Sequence, residues 1–174
     1  MVEPLSVGDV VPEYTFTNQF GAEFRLSDFR GQVLGLTFFF TRCPYPAFCP
    51  RTSANVAATA RALSAADSGL TNWHLLQISF DPDHDTPEVL RKYGEGFDCD
   101  SNRWTLATGD MMQIDGLTEQ LGLVFGRDGE SYSHNVRTAV LDGEGRLRLI
   151  ITGNTWKVET LVAAMKAAGG AGIE

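Results

Sequence analysis

The sequence is short of the residues that staple small domains: it has 3 cysteines in 174 residues, too few for a disulfide framework. Cationic residues are also scarce. With 14 Lys and Arg against 22 Asp and Glu, the net charge of −8 repels phosphate backbones and anionic bilayers, which argues against nucleic acid as a partner. No apolar run approaches the roughly 18 residues that cross a bilayer, and residues 1–9 lack the basic and apolar parts of a signal peptide. The expectation is a soluble chain whose membrane link, if any, is an anchor or signal segment already removed. Repeats and low-complexity stretches are missing too, so one domain over residues 1–174 is expected.

What is present is enough to build a core, with 43% hydrophobic residues. Residues 33–40 (VLGLTFFF) are almost continuously apolar, as in a strand buried on both faces of a mostly parallel sheet, and residues 75–80 repeat the pattern. Ahead of them, residues 14–17 and 23–26 flank Asn18-Gln19-Phe20-Gly21 as a hairpin, with a turn at 27–31. Pro50 suits a first helical turn, and the Ala-rich stretch 52–66 carries Val56, Ala60 and Leu63 on one face, which predicts a crossover helix. Asp85-Thr86-Pro87-Glu88 has the form of a capping box, with Asp85 as the cap of the next helix.

Residues 103–107 read as a short strand. Asp110-Met111-Met112-Gln113 opens a helix with Ile114, Leu117 and Leu121 at core spacing, and Met111 and Met112 are read as packing residues, not soft ligands. A hairpin around Arg127-Asp128-Gly129 precedes strands at 136–141 and 146–151, which are joined by Asp142-Gly143-Glu144-Gly145. The last helix is expected to start near Asn154 or Thr155, to bury Val158, Leu161, Val162 and Met165, and to end at Gly169 and Gly170. This order describes an α/β, thioredoxin-like fold: a central mixed sheet flanked by helices, with an N-terminal hairpin and an inserted helix-strand segment.

Cys43 and Cys49 fall at the carboxyl end of the first buried strand, where open α/β sheets place their ligands. Pro50 puts Cys49 at a helix N-terminus, whose dipole is expected to lower the thiol pKa, while Pro44 and Pro46 restrict the loop. Thiolates serve metals and redox chemistry alike, and the five-residue gap, 44–48, exceeds a C-x-x-C motif. The third residue is His134, in Ser133-His134-Asn135 just before strand 136–141, which this topology sets across the sheet end from the cysteines. No proline follows Pro87, so the cis-proline that blocks this position in thioredoxin-type oxidoreductases is missing and a metal has room to approach. Two soft thiolates and an imidazole beside Phe38, Phe40 and Phe48 suit Cu(I) and accept Cu(II), whereas zinc prefers a fourth ligand. His74 and His84 read as ordinary residues, and Cys99, between Asp98 and Asp100, as an unreactive thiol.

The run FFFTRCP with a second CP at Cys49-Pro50, the segment SFDPDHDTP at 79–87, the SHN before VRTAVLD, and Gly153-Asn154-Thr155-Trp156 together resemble the SCO1/SenC family. These are copper-binding thioredoxin-like proteins that help assemble the binuclear copper centre of cytochrome c oxidase. The resemblance implies a copper metallochaperone that delivers copper to that centre or reduces its thiols, a binding and assembly protein before it is an enzyme. It implies Cys43, Cys49 and His134 as copper ligands, the two cysteines also being redox active, with Asp81 beside the site. Its implied partners are the copper-bearing subunit of the oxidase and copper donors, on the extracytoplasmic side of a membrane. The loop between the cysteines is longer than the family's usual one. A thiol-disulfide oxidoreductase, with Cys43 attacking and Cys49 resolving, is the alternative. A thiol peroxidase using Arg137 is a third reading, and it leaves His134 without a role.

Overall fold

The two continuous apolar runs become adjacent parallel strands at the centre of the sheet. The computed structural model describes residues 2–129 and 131–170, and for residues 127, 128 and 131–134 it describes the backbone alone. In chain order the elements are β1 (Thr15–Asn18), β2 (Glu23–Arg25), a 3₁₀ turn (Leu26–Phe29), β3 (Val33–Phe39), α1 (Cys49–Ser64), β4 (Trp73–Ser79), α2 (Pro87–Glu95), β5 (Trp104–Thr108) and α3 (Met111–Gln120). They continue with β6 (Phe125–Asp128), β7 (Ser131–His134), β8 (Arg137–Leu141), β9 (Leu147–Thr152) and α4 (Val158–Gly170).

The main sheet has 7 strands in the order β2-β1-β5-β4-β3-β8-β9, and β6 and β7 form a separate antiparallel pair. Strands β3, β4 and β5 run parallel, while β1, β8 and β9 pair antiparallel with their neighbours. This is the expected mixed sheet, with α2 and β5 as the inserted helix and strand. Every residue of β3 and β4 is buried, as strands covered on both faces require. Each fully buried Leu, Ile or Phe contributes roughly 1.5–3 kcal/mol of apolar burial, so these strands anchor the core. Helix α4 packs against α1, β3 and β8, and Gly35 makes the close approach feasible: a Cβ there would lie 2.8 Å from Leu75 Cδ2 and 3.1 Å from Met165 Sδ.

Two expectations about helices change. α4 begins at Val158, several residues beyond Asn154 and Thr155, and its described residues run to Gly169 and Gly170, where the sequence predicts its end. Gly169 is kept in the helix by crowding, since a Cβ would stand 2.6 Å from Leu70 Cδ1. Helix α3 does bury Ile114, Leu117 and Leu121, but Met112 is 80% exposed and Met111 38% exposed. Both methionines sit in the first turn after the Asp110 cap, off the buried face, so the packing role expected of them is not observed.

His74, on β4, is enclosed by Phe29, whose ring lies 4.7 Å away, and its Nε2 is 2.7 Å from Thr105 Oγ1. Burial, aided by the Arg103 charge and opposed by Asp100, pushes its pKa from 6.5 down to about 4. The folded form therefore binds fewer protons than the unfolded one between those values, so stability is complete above the upper value and falls as pH approaches the lower. At about 1.4 kcal/mol per pKa unit the loss amounts to about 3 kcal/mol. Urea midpoints measured at neutral pH and near the lower value are expected to show this loss, and His74→Gln to flatten it. An unchanged pH slope in that variant would refute the assignment.

Candidate metal centre

Because β3, β4 and β5 are parallel, their carboxyl ends open on one edge of the sheet. The cysteine loop follows β3, the turn 81–85 follows β4, and Asp110 follows β5. On the far side of β3, β8 begins at Arg137, three residues after His134.

Cys49 is the first residue of α1, after Phe48 at the N-cap and before Pro50 in the first turn. It is 2% exposed, while Cys43 is half-buried in the loop. Both are free thiols, and the structure brings them into hydrogen-bonding contact across the five intervening residues. The expected lowering of the Cys49 pKa is overturned. Burial raises it, a backbone hydrogen bond from Phe40 works the other way, and the nearby Cys43 and Asp85 raise it further. Loss of hydration thus outweighs the helix dipole at this position.

Cys43 Sγ donates to the carbonyl of Tyr45 at 3.8 Å. The residue before it, Arg42, holds Asp81 in a forked ion pair, Nε to Oδ2 at 2.7 Å and Nη2 to Oδ1 at 3.2 Å. Asp81 is fully buried whereas Arg42 reaches solvent, so the pair ties the start of the cysteine loop to the end of β4 with a charge-assisted, two-point contact. Asp81 is thereby held beside the cysteine loop.

Asp85 is not a helix cap. Thr86 takes that place, its hydroxyl accepting from Val89 N at 3.4 Å. The fully buried Asp85 carboxylate instead accepts from Thr41 N at 3.0 Å, from the Thr41 hydroxyl, and from the Ser79 hydroxyl at 2.5 Å. It fastens the residue two before Cys43 to β4.

The backbone of His134 ends β7, in register with Phe125. It is therefore part of a hairpin strand and not of an irregular loop. Phe125 stacks on Phe80 at 4.9 Å, and Phe80 packs on Phe40 at 5.2 Å, so a run of three rings carries the hairpin onto the strand end that leads to Cys43. The imidazole of His134 lies outside the described residues. Among the described residues, no three His, Cys, Asp or Glu side chains form a metal cluster, and the soft donors described at this edge are the two thiols.

Other polar groups gather behind the sulfurs that sequence patterns did not reveal. Ser53, one helical turn after Cys49, has its Oγ 2.8 Å from Tyr93 Oη and accepts from Gln77 Nε2 at 3.1 Å. Burial raises the Tyr93 pKa, Ser53 counters it, and Cys49, Cys43 and Asp85 raise it again, which places this hydroxyl within the field of both thiols. The i, i+4 spacing of Cys49 and Ser53 was the available signal. Cys99 stands apart: its Sγ donates to Trp104 O at 3.3 Å, and burial, helped by Asp100, pushes its pKa to about 12. The shift has the direction expected, with burial and not the carboxylate as the main cause. Phe38 and Phe40 are buried as a wall near the site, but Phe48 is 41% exposed on its rim.

Among the described residues no helix is long and apolar enough to cross a membrane. A protein from Bacillus subtilis (strain 168) named SCO1 protein homolog is 28% identical over 99 residues, which is 57% of this chain and 49% of that protein. The match thus spans about half the relative's length. The fold is similar to that of a SCO1/SenC family lipoprotein from Bacillus anthracis str. Ames, with a TM-score of 0.81, 24% identity, and coverage of 97% of this chain and 98% of the other. BsSco, described as a member of the Sco family of cytochrome c oxidase assembly proteins with a disulfide switch, matches with a TM-score of 0.79 and 22% identity over 97% and 96% of the two chains. Copper-bound ScoI of Arabidopsis thaliana matches with a TM-score of 0.78 and 19% identity over 94% and 98%. At these identities the structural likeness is one of fold. The SCO1/SenC family model matches residues 3–169, and with its thiol pair at the carboxyl end of β3 the chain belongs to the SCO1/SenC family.

Proposed function

We propose that this chain is a copper-binding assembly factor, acting as one domain over its whole length, that holds one copper ion through Cys43, Cys49 and His134. Copper is its cargo, handed to the binuclear copper site of cytochrome c oxidase, or else the cysteines pass electrons to the thiols of that site. The observation that carries the reading is the meeting of two free thiols at the carboxyl end of a buried parallel strand, despite a five-residue loop. Two soft sulfurs favour Cu(I), and an imidazole completes a set that also accepts Cu(II). Support for His134 comes from the ring stack that docks its hairpin on Phe80, and Asp81 supports the site through Arg42. Family membership supports an extracytoplasmic location and the oxidase subunit as acceptor.

The test is an anaerobic Cu(I) titration of the reduced protein and of His134→Ala, with insulin-disulfide turnover followed on the same samples. One equivalent bound by the parent, with affinity lower by on the order of tenfold or more in the variant, is expected. Rapid insulin reduction with no copper retained would establish the thiol-disulfide oxidoreductase instead.

A further inference from the structure

Residues 44–48, between the cysteines, are all exposed, with Tyr45 at 56%. Their own hydrogen bonds are local, Cys43 Sγ to Tyr45 O and Phe48 N to Tyr45 O at 3.0 Å. Prolines restrict such a loop without fixing where it lies. Among the described residues one hydrogen bond reaches it from a distant part of the chain: Asn154 Nδ2 donates to the carbonyl of Ala47.

Asn154 is placed for a second contact through its neighbour. Gly153, at φ +85°, turns the chain after β9 and donates its backbone N–H to Val136 O at 3.0 Å. Val136 is two residues beyond His134. The same two-residue segment therefore touches the cysteine loop on one side and the chain leading from the histidine on the other. Trp156, 8% exposed within the core, anchors the segment from behind. The Gly153-Asn154-Thr155-Trp156 motif has no other role in the site described above.

We propose that Asn154 is a positioning residue that fixes the cysteine loop relative to the histidine-bearing segment by donating its amide hydrogen to Ala47 O. The proposal deepens the copper reading and rests on it for the identity of the ligands. A carboxamide is suited to this task because it offers a donor, and Asp, of the same shape, offers none. With the bond in place less loop freedom is lost when both sulfurs close on one ion. Closing the disulfide draws the sulfurs from hydrogen-bonding separation to about 2.05 Å. The bond to Asn154 resists that movement of the Cys43 loop, so it also favours the dithiol over the disulfide.

Asn154→Asp and Asn154→Gln test this, through Cu(I) competition with a chromophoric chelator, the glutathione-equilibrated potential of the Cys43–Cys49 couple, and thermal unfolding. Asn154→Asp is expected to bind Cu(I) about tenfold more weakly and to shift the dithiol-disulfide equilibrium about tenfold toward disulfide, about 30 mV more negative for two electrons. Its unfolding temperature stays close to the parent's, and Asn154→Gln, which keeps the donor, recovers most of both effects. Unchanged affinity and potential in Asn154→Asp would overturn the proposal, as would equal losses in both variants that track a lower unfolding temperature. If the parent itself bound no copper, the copper reading would fall, while the shift in potential would still decide on Asn154.

Discussion

Cys49→Ser is expected to weaken Cu(I) binding by more than about a hundredfold, beyond the 10- to 100-fold typical of losing an outer partner of a metal site. A serine hydroxyl is hard and stays protonated, so one of two soft donors is lost outright. Cys99→Ser is the internal control: its sulfur is hydrogen-bonded to Trp104 O, away from the loop, and its removal leaves affinity unchanged. The raised pKa of Cys49 adds a second signature. At neutral pH this thiol is protonated, so copper must displace a proton, and affinity rises up to about tenfold per pH unit for each proton released. Chelator competition at several pH values reads both effects. Parental affinity in Cys49→Ser, or a pH-independent constant in the parent, would remove Cys49 from the site.

Asp85→Ala is expected to cost about 3 kcal/mol of stability, which for a chain of this size lowers the melting temperature by roughly 10 °C. The carboxylate takes three hydrogen bonds, two from Thr41 and one from Ser79. Truncation strands the buried Ser79 hydroxyl and the half-buried Thr41 donors, and hydrogen bonds to charged groups are worth roughly 1.5–3 kcal/mol each before the relief of desolvation is counted. The consequence reaches the thiols, because Thr41 stands two residues before Cys43. Thr86→Ala, which removes the true cap, should cost only about 1 kcal/mol. The reverse order of these two losses in a denaturant series would restore Asp85 to the cap.

Much of the fold was legible because its signal is local. β3 and β4 are continuous apolar runs, and the cysteines, the Asp110 helix and both C-terminal strands fall where apolar period and turn residues put them. The misreadings share a cause in contacts between residues far apart in sequence. Asp85 has the spacing of a cap, but its partner Thr41 lies 44 residues earlier. Cys49 sits at a helix N-terminus as expected, yet the sheet and α1 bury it, and burial decides its pKa. Met112 has apolar neighbours in sequence but lies off the face that carries Ile114 and Leu117 into the core. The reach of Asn154 to Ala47 spans 107 positions and has no local signature.

If the two cysteines hold copper as proposed, their unequal burial gives handover a direction. A donor or acceptor ligand arriving from solvent meets the half-open Cys43 side first, since Cys49 is sealed beneath the helix start. On the proposed site, an incoming ligand would reach Cys43 first, and Cys49, shielded beneath the helix start, would be the last sulfur to let the ion go.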